Sequence, residues 1–132
     1  MTPEDELAIR NQVARTAFLA DEGSAAELAA LVAPDGTWTM AGTAHAGPKE
    51  VEVALHGVRA RGMAGPGTQS RHLGTTVLIE PTDADTAVSR AQFLFYRTGG
   101  GGPELAMIGE YADTWTRQSG GQWLLQSREV RR

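Results

Sequence analysis

Apolar residues along this chain recur first at helical and later at strand spacing, and that order predicts the architecture. Thr2 is placed to cap a first helix, with Pro3 at its first position and Glu4, Asp5 and Glu6 at the positive end of the helix dipole. Ile9, Val13, Ala17 and Phe18 follow on one face until Gly23 stops the element. Ser24-Ala25-Ala26-Glu27 has the spacing of a capping box, so a short second helix should carry Leu28, Leu31 and Val32 and end at Pro34-Asp35-Gly36. Trp38 and Met40 alternate as in a strand, and Gly47-Pro48 opens a third helix bearing Val51, Ala54, Leu55 and Val58. Gly62 to Gly67 reads as a loop.

Beyond Ser70 the pattern turns to strands, at roughly 70–80, 86–97, 104–117 and 122–130. Pro81-Thr82-Asp83 and Gln118-Ser119-Gly120-Gly121 fit hairpin turns. The Gly99 to Gly102 run precedes a strand and lacks the Lys-Ser/Thr of a phosphate loop, so it reads as another hairpin. Helices first and strands later predict an α+β fold, with helices against one face of an antiparallel sheet. Without a linker or repeat, residues 1–132 form a single domain.

Composition narrows the function. Twelve basic against sixteen acidic residues give a net charge of −4, which offers no footprint for nucleic acid or an anionic membrane. Cysteine is absent, removing thiol nucleophiles, disulfides and thiolate metal sites, and Lys49 is the only lysine for Schiff-base chemistry. No metal or cofactor motif is present, so none is expected. The start, Met1-Thr2-Pro3-Glu4-Asp5-Glu6, is acidic where a signal peptide is basic, and no apolar run reaches spanning length; the expected compartment is the cytoplasm.

Three histidines remain as candidate chemistry. His45, in a turn-rich stretch, and His56, in the polar tail of the third helix, suit the surface. His72 lies inside a strand, where alternation groups it with Gly74, Thr76 and Leu78. Asp21 stands at the unfavourable end of the first helix dipole on its apolar face, where a charge needs a partner. Arg128 shares one side of the last strand with Leu124 and Gln126 as a third inward polar group.

These residues sit in segments that resemble the SnoaL-like branch of the nuclear-transport-factor-2-like (NTF2-like) superfamily over nearly the whole chain. The matching segments are Ala20-Asp21-Glu22-Gly23, Pro34-Asp35-Gly36-Thr37-Trp38, Gly47-Pro48-Lys49-Glu50, Arg71-His72-Leu73-Gly74-Thr75-Thr76, Glu110-Tyr111-Ala112-Asp113 and Trp123-Leu124-Leu125-Gln126-Ser127-Arg128. The resemblance is to the branch holding hexachlorocyclohexane dehydrochlorinase, bile-acid 7α-dehydratase and scytalone dehydratase. It implies a cone of curved antiparallel sheet wrapped around the N-terminal helices, with a central pocket. It further implies a catalytic dyad at Asp21 and His72, with Arg128 holding the leaving group. Pocket walls would fall on Trp38, Met40, Phe93, Phe95, Met107, Gly109 and Tyr111. The position five residues before the aspartate, lysine or tyrosine in those enzymes, is Thr16 here; it joins the substrate-binding set as a hydrogen-bond donor.

The implied activity is a cofactor-independent lyase or isomerase acting on a hydrophobic cyclic small molecule. A polyketide cyclase-type enzyme and a non-catalytic binding or assembly subunit of the same fold are the alternatives. Ala91-Gln92-Phe93-Leu94-Phe95-Tyr96 is apolar on both faces of its strand, which predicts a homo-oligomer, a trimer or dimer through the sheet by the same resemblance.

Overall fold

The computed structural model describes all residues, Met1–Arg132. Helix α1 spans Pro3–Glu22, α2 Ala25–Ala29 and α3 Gly47–Ala60. The strands are β1 Val32–Met40, β2 Thr43–Ala46, β3 Arg71–Pro81, β4 Thr86–Gly99, β5 Gly102–Arg117 and β6 Trp123–Arg131. They form one sheet in the order β2-β1-β6-β5-β4-β3. Both predicted capping boxes are made: Thr2 with Asp5 and Ser24 with Glu27.

The sheet is mixed rather than wholly antiparallel, because β1 runs parallel to β6. The first strand also begins earlier than the sequence suggests. Val32 and the whole Pro34-Asp35-Gly36 stretch belong to β1, which breaks register against β6 between Val32 and Thr37. That irregularity is what admits a proline, which has no N–H to give to a ladder. Strand β2 lies where a turn-rich stretch was expected. Ala41 and Gly42, at φ 49° and 80°, form the tight positive-φ turn that pairs it with β1, an Ala-Gly version of a turn normally signalled by Asn-Gly.

Two β-bulges correct the predicted faces of the strands. Thr75 is an extra residue opposite β4, so His72 and Gly74 pair with Phe95 and Phe93, while Val77 and Ile79 pair with Ala91 and Ser89. The concave face of β3 therefore runs His72, Gly74, Val77, Ile79, and Leu78 is 51% exposed on the outer face. Gln126 is likewise extra in β6, so Arg128 shares its inward side with Trp123 and Leu125, not with Leu124 and Gln126.

Helix α1 also turns differently from its apolar pattern. Its buried stripe is Asp5, Ile9, Gln12, Val13, Thr16 and Asp21, and Phe18 is 64% exposed. The buried polar members are all satisfied: Asp5 accepts from Trp123 Nε1 at 3.1 Å, Gln12 Nε2 donates to the Trp123 carbonyl at 2.7 Å, and the Thr16 hydroxyl donates to the Val13 carbonyl at 2.7 Å. Satisfied polar groups can occupy an inward face that a purely apolar reading assigns to Phe18. No helix is long and apolar enough to cross a membrane.

Candidate functional site

The C-terminal turn of α1 and the first residues of β3 bring Asp21 and His72 together. Asp21 Oδ1 lies 2.7 Å from His72 Nδ1, and the same carboxylate accepts the His72 backbone N–H at 3.0 and 3.1 Å. Ring and backbone of one residue are thus gripped by one buried side chain. The Nδ1 contact fixes that nitrogen as the donor to the carboxylate and leaves Nε2 as the ring's free basic position. Phe95 packs against the imidazole with centroids 4.4 Å apart, and Phe93 is 5.7 Å away.

Asp21 sits where helix carbonyls converge, and a cation not foreseen in the sequence offsets that. Arg59, from the last turn of α3, donates Nη1 to the Gly23 carbonyl at 2.6 Å and Nη2 to the Leu19 carbonyl at 3.0 Å. It caps the negative end of α1 from another element, a pairing that no local spacing reveals.

His72 opens onto a cavity of about 530 Å³ between α2, α3 and the concave sheet. Fifteen of its nineteen lining residues are hydrophobic, so it suits an apolar molecule of drug-like size. Trp38, Met40, Phe93, Phe95, Met107 and Tyr111 line it. A second cavity of about 380 Å³, beside α1, shares His72, Phe93 and Tyr111 with the first and includes Asp21. The carboxylate thus lies on the α1 side of the imidazole.

Three expected site residues take other places. Thr16 is core, 2% exposed, with its hydroxyl spent inside its own helix, and it lines neither cavity. Gly109 is buried behind the wall, where an added Cβ would come within 2.4 Å of Phe93 Cζ; its missing side chain makes room for that ring. Arg128 is 2% exposed and lines neither cavity. Its Nε and Nη2 donate to Asp113 Oδ1 and Oδ2 at 2.9 and 2.8 Å, a bidentate pair closed to solvent. Asp113 was missed, although alternation through Tyr111, Asp113 and Trp115 places it inward opposite Arg128. Burial depresses the guanidinium's affinity for its proton, and Asp113 more than offsets this, holding Arg128 above its ordinary pKa.

The Arg128 guanidinium lies 3.9 Å from the Tyr111 ring centroid and 5.1 Å from that of Trp38. It therefore faces the cavity only through these rings. Burial pushes the Tyr111 hydroxyl up to about 12, against the opposing pull of Arg128. A raised folded-state pKa makes stability fully present below the unfolded value of 10.0 and lost as pH climbs through about 12. In a Tyr96→Phe variant, phenolate absorbance should accordingly show no ionisation of the remaining tyrosine until near pH 12. Stability should fall by about 2–3 kcal/mol across that window.

His56 makes an i,i+4 contact with Glu52 at 3.5 Å on the surface, and His45 lies on the short edge strand β2. No three His, Cys, Asp or Glu side chains converge as a metal-binding group.

Comparison with known proteins places the fold. No curated protein matches the chain. An NTF2-like protein with a cystatin-like fold from Novosphingobium aromaticivorans superposes with TM-score 0.83 at 25% identity, over 96% of this chain and 80% of that one. A protein from Catenulispora acidiphila, solved in complex with S-DNPA, gives 0.83 at 22% identity over 98% and 93%. A candidate scytalone dehydratase from N. aromaticivorans gives 0.74 at 20% over 96% and 83%. The same helices and curved sheet therefore recur in all three, and the SnoaL-like domain model matches residues 1–129. This chain belongs to the SnoaL-like domain family, within the NTF2-like fold.

Proposed function

We propose that the protein is a lyase or isomerase in which His72 removes a proton from a carbon of a hydrophobic cyclic molecule. The observation that carries this reading is the 2.7 Å contact between His72 Nδ1 and Asp21 on the wall of an apolar cavity. The carbon-bound proton passes to Nε2, and the C–H electron pair forms the new double bond or enolate. In an elimination the leaving group departs with its own bonding pair and is protonated by the imidazolium or by water. Asp21 stabilises the imidazolium formed midway. Tyr111, protonated throughout the physiological range, is a hydrogen-bond donor for a developing oxyanion. Arg128 contributes positive potential from behind that ring and is a positioning residue rather than a contact. The reading assigns no step to a cofactor.

A cyclase reading shares this base and its carbanion chemistry, and a neighbour of the same fold was solved in complex with S-DNPA. The test common to both is hydrogen exchange at an activated carbon. β-Tetralone, a bicyclic ketone with acidic C–H bonds, incubated with the protein in heavy water should lose its α-proton NMR signals faster than in buffer. Exchange that continues unchanged in His72→Ala would overturn the assignment.

The same reading includes self-association. On the outer face Leu73, Leu94 and Ile108 stand side by side on three neighbouring strands, with Leu73 49% and Ile108 62% exposed. Such an apolar row costs solubility unless it is covered. Light scattering at micromolar concentration should give about three times the 14.0 kDa chain mass for the trimer favoured by resemblance; a monomer would sink the idea.

A further inference from the structure

We propose that the substrate of this cavity is an anion: a cyclic molecule whose carboxylate is held by Arg97 at the mouth while its ring lies against Phe95 and His72. The inference rests on the functional reading above and adds the chemical class of the ligand. The cavity wall contains three arginines, Arg59, Arg97 and Arg132, and no aspartate or glutamate, in a chain whose net charge is −4. Such an imbalance in an acidic protein concentrates positive potential at one opening, which attracts and orients an anionic ligand.

The three cations are not equivalent. Arg59 is spent on the carbonyls at the end of α1. Arg132 also lines the cavity, as the last residue after β6. Neither Arg97 nor Arg132 has a carboxylate within ion-pair distance, and Arg97 is the one that strand register sets beside His72. Its cross-strand neighbour is Glu104, but that carboxylate lies beside Gly99, with Oε1 2.9 Å from where a Cβ on that glycine would stand. The Arg97 guanidinium instead sits 5.5 Å from the Phe95 ring centroid.

Register supplies the distance. Phe95 pairs directly with His72 across the strands, and Arg97 is the next residue of β4 on the same face. One same-face step is about 7 Å, so a carboxylate on Arg97 would lie about one ring system away from the reacting carbon at His72. One uncharged wall group also calls for an acceptor: Tyr111 lines the cavity and keeps its proton. A ligand bearing an oxygen on an apolar ring skeleton answers that donor; a plain hydrocarbon does not.

The test is a displacement titration against the neutral fluorescent probe N-phenylnaphthylamine, with naphthylacetate and its uncharged isostere naphthylacetamide as competitors. The native protein should prefer the carboxylate by about three- to fivefold, from a charge-assisted contact to an exposed guanidinium. Arg97→Gln should abolish that preference, Arg97→Lys should restore part of it, and binding of the neutral probe should change by less than about twofold in both. Equal affinity for the two competitors, or a preference that survives Arg97→Gln, overturns the inference while leaving the His72 base untouched. Failure of the neutral probe to bind at all, or to be excluded when Val58→Trp fills the cavity, removes the pocket and with it both readings.

Discussion

His72→Ala is expected to slow carbon-proton exchange by about 10²- to 10⁴-fold, the usual worth of a positioned general base. Asp21→Asn should cost at least the same order. An asparagine amide retains the size of the carboxylate but cannot stabilise the imidazolium, and its N–H₂ end can present a donor to Nδ1 and fix the wrong tautomer. The two substitutions should not be additive, because each disables the same unit. Stability should separate them. His72 is a half-buried strand residue whose truncation leaves space open to the cavity. Asp21 also accepts the His72 backbone N–H, so its replacement loosens the entry to β3. Exchange kinetics in heavy water, read beside urea unfolding of each variant, check both statements. An Asp21→Asn protein that exchanges at the native rate would show that the carboxylate serves only the backbone.

Asp113→Ala is expected to be the most destabilising single change in the chain, by about 3–5 kcal/mol. It would leave the Arg128 guanidinium buried without its counter-ion, against the Tyr111 and Trp38 rings. A domain of this size has a total stability of roughly 5–15 kcal/mol, so such a loss puts folding itself at risk. The informative companion is the double variant Asp113→Leu with Arg128→Met, which removes both charges and keeps the volume. It should recover most of the lost stability, since a buried pair owes little net energy to its own attraction. Urea midpoints at neutral pH check both proteins. A cost below about 1 kcal/mol for Asp113→Ala would mean that water reaches Arg128 and that the pair is not sealed.

The helices and the long strands were legible because each rests on a local signal, a capping box or an alternation; Asp21 and His72 each stood out locally, and their pairing came from the family resemblance. The misread strand faces share one cause, the assumption that strands keep strict alternation. Leu78 and the Leu124-Gln126 side were placed wrongly because one inserted residue in each strand, Thr75 and Gln126, resets the count. Phe18 was placed inward because polar residues hold the buried stripe of α1, each satisfied by a distant partner that spacing does not show. Arg59 lay out of reach for the same reason, since its partners come from another element, whereas the alternation of β5 does mark Asp113 as inward. Thr16 and Arg128 entered the site by resemblance, and the structure places both off the cavity wall.

The bulge at Thr75 divides β3 into two stretches with separate obligations. Arg71–Gly74 presents His72 to Asp21 and the cavity, and Thr76–Pro81 closes the core through Val77 and Ile79. The extra residue acts as a phase insulator between them, so either stretch can accumulate substitutions without dictating the orientation of the other. A chain that lost Thr75 could satisfy only one obligation at a time. With the imidazole kept on Asp21, Ile79 would turn to solvent; with the core kept closed, the imidazole would turn outward. Change in the cavity wall on the one stretch and in core packing on the other can therefore proceed independently, provided that single position is neither deleted nor duplicated.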